Sequence, residues 1–175
     1  MDLEVVGNNR ILALDDATSI TGYSVIEEGK LIEYGLLRSK GKDNNEKIHS
    51  MTKKIMNLIE KIKPNTIVLE DIYLNDKLPN NVDTFKKLSR LQGSLIYNLL
   101  ENKCNFIFIY PSFWRGILKI NGMNRAIVKA QAQKAVKNIF NIDVSEDEAD
   151  AICIGFCSEN IRQEDFKEKT TQWIM

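Results

Sequence analysis

Ile11-Leu12-Ala13-Leu14-Asp15-Asp16-Ala17-Thr18-Ser19-Ile20-Thr21-Gly22-Tyr23 is the stretch on which the reading of the fold turns. Ile11 to Leu14 lacks the alternation of a half-solvated strand, so it reads as a strand covered on both faces at the centre of a sheet. The run stops on Asp15, which places a carboxylate at a buried strand end. Taking an unpartnered carboxylate out of water costs on the order of several kcal/mol. A cation or strong donors should therefore meet Asp15.

Working outward, Thr21 to Glu27 and Lys30 to Arg38 read as strands joined at Glu28-Gly29, giving an antiparallel meander with the first strand. Asp43 and Glu46 have capping-box spacing. Ile48, Met51, Ile55, Leu58, Ile59 and Ile62 then share one helical face until Pro64 ends the pattern. Thr66-Ile67-Val68-Leu69-Glu70 is a second apolar strand ending in a carboxylate. A helix between two buried strands makes them parallel, which brings Asp15 and Glu70 to the same edge, where sites in such sheets form.

Asp71 to Pro79 reads as a loop over that edge, and Asn81 opens a second helix with Phe85, Leu88, Leu95, Ile96 and Leu99 inward. Phe106 to Tyr110 is a third parallel strand, followed by a turn or short helix over Ser112 to Leu118. Asn124 caps a helix reaching about Ile139, with Val128, Ala132, Ala135 and Ile139 toward the core and Arg125, Lys129, Gln133 and Lys137 as a stripe suited to phosphates. Ser145 and Glu148 form a second capping box, opening a helix apolar all round from Ala149 to Cys157. The fold class is α/β, a five-stranded mixed sheet flanked by helices, with strands one to three as the meander and strands one, four and five parallel.

The 175 residues suit one domain spanning 1–175, with a mobile tail after about residue 160. No run is apolar for long enough to span a bilayer, and Met1-Asp2-Leu3-Glu4 is acidic where a secretion signal needs a basic region, so the expected location is the cytoplasm. Cys104, Cys153 and Cys157 lack the partners of a zinc site and read as reduced core residues. His49 has no nucleophile motif around it. Twenty-four basic and 24 acidic residues give no net charge, yet Asn102 to Ile142 contains no Asp or Glu while it holds Lys103, Arg115, Lys119, Arg125, Lys129, Lys134 and Lys137. A one-sign block of this length can form a face for phosphate backbones.

Asp15, Glu70, Asp147 and Asp150 all fall at buried or half-buried ends of elements. Four such acids without cations would repel and take up protons. Mg²⁺ or Mn²⁺ suits oxygen ligands of this kind, and two ions about 4 Å apart can activate water and stabilise the leaving oxygen of a phosphodiester. An acidic cation-loaded centre beside a basic strip is what a metal-dependent nuclease needs.

The order of elements, with acids on the first strand, the fourth strand and the last helix, resembles the ribonuclease H fold. From Arg10 to about Asn160 the chain is most similar to RuvC-type Holliday-junction resolvases. The resemblance rests on Asp15 in Ile-Leu-Ala-Leu-Asp, Glu70 in Ile-Val-Leu-Glu, the Asp147-Glu148-Ala149-Asp150-Ala151 helix and Lys87-Leu88-Ser89-Arg90-Leu91-Gln92-Gly93. It implies the four acids as catalytic metal ligands for two Mg²⁺ per site, with Mn²⁺ as a substitute. It also implies branched four-way junction DNA as substrate, a homodimer through the second helix and paired symmetric nicks. Tyr73 matches an aromatic position at the junction centre and Arg115 a basic one, with Arg125 and Lys129 as looser DNA-binding matches. Where the family has Pro-Gly-Ser after its first Asp, this chain has Asp16-Ala17-Thr18, which suggests a bacteriophage or mobile-element member. Asp16 should point away from the site by alternation. Three other readings compete: a nuclease for RNA or RNA:DNA hybrid, a non-catalytic DNA-binding module, and a lobe of an actin-like ATPase, for which the chain is too short.

Overall fold

The computed structural model describes residues 9–74 and 81–159. Five strands and five helices follow in the order β1 (Arg10–Asp15), β2 (Ile20–Glu27), β3 (Lys30–Arg38), α1 (Asn44–Ile62), β4 (Thr66–Glu70), α2 (Asn81–Glu101), β5 (Phe106–Ile109), α3 (Pro111–Ile117), α4 (Arg125–Phe140) and α5 (Glu146–Ser158). They form one mixed sheet ordered β3-β2-β1-β4-β5. β1 to β3 pair antiparallel, whereas β4 and β5 join β1 in parallel. This is the expected architecture, with α3 resolving the turn-or-helix ambiguity before Leu118.

Local chemistry accounts for the punctuation. Glu28 and Gly29 both have positive φ, 50° and 74°, matching the twist of a tight hairpin. Asp43 accepts from the Glu46 backbone, but the Glu46 carboxylate reaches back to the Lys42 N–H rather than to Asp43, so the expected capping box is displaced by one residue. Lys63 and Asn141 end α1 and α4 in the left-handed conformation that returns a backbone N–H to the last turn. Pro111 opens α3, where its missing donor would be unpaired in any case.

Two apolar layers sandwich the sheet, and strand parity sorts residues between them. Leu12, Leu14, Ile67 and Leu69 join α1 and α2, whereas Ile11, Ala13 and Val68 join α3, α4 and α5. The α1 face is as read from the sequence, all six of its apolar positions being buried. On α2 the buried line is Leu91, Gln92, Leu95 and Leu99, while Phe85, Leu88 and Ile96 are only half-buried. The α4 reading needs a larger correction: Lys129, Ala132 and Val136 form its buried line, and Ile139 is 40% exposed.

α5 lies across β1 and β2 at close range. A Cβ at Gly155 would stand 2.6 Å from Ser24 Oγ, which itself donates to the Ala151 carbonyl at 2.7 Å. A Cβ at Gly22 would stand 2.0 Å from the Asp147 carbonyl oxygen. Bare backbone at both points lets the helix rest directly on the meander. The three cysteines are free, as expected. No helix of the described residues is long and apolar enough to cross a membrane. The tail after residue 160 and most of the loop before Asn81 lie outside the described residues.

Candidate active site

The β1–β4 register sets Leu14 beside Leu69, so the next residues, Asp15 and Glu70, leave adjacent parallel strand ends. Both follow the parity of Ala13 and Val68 and face the α3–α5 layer. Asp15 is also the register partner of Gly22, the residue whose missing side chain admits the first turn of α5. Asp147 and Asp150 thus reach the same corner from one helix turn. The Glu148 carboxylate fixes the start of that turn by accepting from Ser145 N at 2.9 Å and Ser145 Oγ at 2.6 Å.

At the middle of this acidic corner stands Lys129 from α4. Its Nζ donates to Asp150 Oδ2 and lies 3.5 Å from Asp147 Oδ1 and 3.8 Å from Asp15 Oδ2, with 7% of its side chain exposed. The cation expected beside Asp15 is therefore this ammonium. Burial pulls its pKa down, but Asp150 and Asp15 outweigh that and raise it. Asp15, Glu70 and Asp150 are all raised from their ordinary carboxyl values, Asp15 well above, in each case first by burial and then by neighbouring acids. Lys129 opposes the shift at Asp15 and Asp150.

Lys129, which the resemblance offers as a DNA contact, is thus buried beside three carboxylates. The stripe expected on α4 is corrected, because the buried line of that helix runs through Lys129 instead of beside it. Gln133 is half-buried and donates to the Val144 carbonyl, Lys137 pairs with Asp143, and Arg125 at the helix start is exposed, with no ion pair among the described residues.

Two residues from α3 complete the corner. Trp114, fully buried, donates from Nε1 to Glu70 Oε1 at 2.7 Å and holds that carboxylate down against the effect of burial. Arg115 lies over the Trp114 ring at 5.0 Å, and its charge reaches both Glu70 and Asp150. The sequence offers Arg115 as a DNA contact, and the structure sets it beside the acidic corner; Trp114 was not singled out. The available signal was an indole three residues past Pro111, at the carboxyl end of β5. Tyr73, three residues beyond Glu70, is 59% exposed and so is not packed on the sheet edge.

Asp16 does turn to the opposite layer. Gln92 of α2 donates from Nε2 to Asp16 Oδ2 at 3.2 Å and to the Glu70 carbonyl at 2.9 Å, clamping the two strand ends from behind. Burial raises Asp16 to about 7, the Gln92 hydrogen bond opposing.

The donor set suits a hard divalent ion: oxygen ligands only, three of them raised in pKa first by burial and then by one another, and Asp150 Oδ1 buried without a hydrogen-bond partner among the described residues. No three acidic, histidine or cysteine side chains among the described residues close on one point as a ready-made cage. The ammonium of Lys129 stands among them instead.

Residues 11–158 match the family model described as crossover junction endodeoxyribonuclease RuvC. The proteins of that description from Geotalea uraniireducens and Petrotoga mobilis are 27% and 28% identical to the chain, covering 86% and 87% of it and 88% and 94% of their own lengths. Among solved structures, Thermus thermophilus RuvC in complex with a Holliday junction substrate superposes with a TM-score of 0.68 at 12% identity, over 86% of this chain and 92% of that one. The yeast mitochondrial Holliday junction resolvase gives 0.64 at 12% identity, over 95% and 85%. These structural likenesses bear on the fold.

Proposed function

The chain belongs to the crossover junction endodeoxyribonuclease RuvC family, and from that premise we propose that it cuts four-way DNA junctions at the corner formed by Asp15, Glu70, Asp147 and Asp150. The observation that carries this reading is the convergence of acids from β1, β4 and α5 on a single buried cation. Such a centre meets the negative phosphodiester only if further positive charge enters with it. A divalent metal, Mg²⁺ with Mn²⁺ as substitute, would supply that charge and would lower the pKa of water for attack on phosphorus. Asp15, Glu70 and Asp150 would hold such an ion through their free oxygens. Trp114 favours the ionised form of Glu70 against burial and aims it, and Arg115 adds fixed positive charge beside Glu70 and Asp150.

Resolution into two ligatable duplexes needs two such centres related by a two-fold axis. Val82, Tyr97 and Leu100 leave exposed apolar surface on α2, and Gly93 has open space where a Cβ would stand, which supports α2 as the face between two copies. Tyr73, on the chain directly after Glu70, then stacks on a base near the dyad. Exposed Arg125 contacts backbone phosphate.

Purified protein incubated with a mobile four-way junction, a linear duplex and an RNA:DNA hybrid, each with Mg²⁺ and with chelator, tests the proposal. Paired cuts confined to the junction and abolished by chelator are expected, with Asp15→Asn and Glu70→Gln binding the junction but leaving it intact. Preferential cutting of the hybrid, or undiminished cutting in chelator, overturns it.

A further inference from the structure

The paired register of β1 and β4 runs from Ile11 beside Thr66 to Leu14 beside Leu69. Asp15 and Glu70 are the next residues along, one step past its end. A side chain from another element bridges the strands at this point. Gln92 of α2 donates from Nε2 to the Glu70 carbonyl at 2.9 Å and to Asp16 Oδ2 at 3.2 Å. An amide nitrogen carries two hydrogens, one for each of these acceptors. The fork therefore runs from the end of β4 to the residue that follows Asp15.

The fork is itself held in place. Gln92 is 6% exposed, and Leu91 and Leu95 of the same helix are fully buried in the layer that α2 shares with α1. Its amide reaches the acidic corner through the sheet, from the layer opposite to α5. Glu70 is gripped at three points: its carbonyl by Gln92, the N–H that follows it, of Asp71, by the Ile109 carbonyl at 2.8 Å, and its Oε1 by Trp114 at 2.7 Å. Without the Gln92 amide, the Glu70 carbonyl and Asp16 Oδ2 lose this donor beside Asp16 Oδ1, which is already buried without a partner among the described residues. Unmet buried acceptors are costly, so the strand ends would move to find other donors.

We propose that Gln92 is a positioning residue for cleavage. Its amide stands in for a further rung between β1 and β4, and by holding the Glu70 main chain it sets where the Glu70 carboxylate meets Trp114 and the other acids. Gln92 touches no reacting atom; its effect is carried by the backbone of the two strand ends. The inference rests on the reading above, that DNA is cut at this corner.

Gln92→Met keeps the length of the side chain and removes both donors. Gln92→Asn, which draws the amide back by one methylene, serves if the methionine variant does not fold. Two measurements on the full chain test the role: junction cleavage resolved into kcat and KM, and the indole N–H proton resonance of Trp114, identified by its loss in Trp114→Phe. We expect kcat to fall by about tenfold or more while KM stays within about twofold, because small misplacements of reacting groups are costly in rate. The indole proton should move upfield and exchange faster with solvent as its bond to Glu70 lengthens. An unmoved indole proton overturns the inference whatever happens to stability, since a residue that only fills the core leaves Glu70 where it is. An unchanged kcat, or a loss confined to KM, overturns it as well. Absence of cleavage by wild type overturns the cutting reading, and the indole proton alone then decides whether Gln92 places Glu70.

Discussion

Asp16 faces the opposite layer of the sheet from its neighbour Asp15. Its carboxyl is buried, met by the Gln92 amide and by its own backbone N–H, and raised to about 7. In the unfolded chain it titrates near 3.9, so the folded state holds the extra proton, and the stability this confers is complete below about pH 4 and lost as pH rises through 7. Asp16→Asn keeps an acceptor for Gln92 without the charge. Thermal unfolding should show the variant more stable than the parent by roughly 1–3 kcal/mol at pH 8, a few degrees in Tm for a chain this size, with the difference fading by pH 4. An equal gain at both pH values would refute the assignment. At Trp114 the sign is reversed: its N–H favours ionised Glu70, so Trp114→Phe should move the acidic limb of the kcat/KM profile to higher pH and lower stability by about 1.5–3 kcal/mol for a lost hydrogen bond to a charged group. An unmoved limb would leave Trp114 a packing residue.

Between elements, the contact that fixes the site is α5 against the meander, and it is made by absent side chains. Gly22→Ala would drive a methyl into the Asp147 carbonyl and shift the first turn of α5 off the β1 end. Stability should fall by about 1–3 kcal/mol, as for other overpacked contacts, and cleavage should fall further than junction binding. Gel-shift and cleavage assays on one preparation separate the two, and a variant that cuts normally would show that the corner tolerates a displaced α5. Sheet order, strand polarity and the four acids were legible beforehand because apolar runs ending in carboxylates and a capping box are local patterns. The rotation of α4 was not. Its core line is Lys129, Ala132 and Val136, and a lysine at a core position reads as a flank residue until its three acids, brought in from β1 and α5, are seen together. Trp114 and Gln92 stayed hidden for the same reason, since each matters through a partner more than twenty residues away.

For the whole molecule, the apolar surface on α2 and the open space at Gly93 make a joint prediction. Within one protomer Gly93→Ala should stabilise by about 0.5–1 kcal/mol, as alanine does over glycine inside a helix. If two copies meet across α2, the same methyl should weaken their association, so sedimentation should show a larger monomer fraction in a protein that melts higher. A variant that melts higher with unchanged association would move the interface away from Gly93. Junction affinity should also fall steeply with salt, as counterion release requires, and Arg125→Ala should flatten that slope by about one phosphate contact. One property of the topology reaches back to the making of the protein. Asp15 leaves the ribosome early, Glu70 follows, and Lys129, Asp147 and Asp150 come late, on the last two described helices. A half-made chain therefore holds two acids with neither the ammonium nor the α5 pair. On the proposed assignment, the cutting centre forms only when the last described helix has been translated and has settled onto the meander.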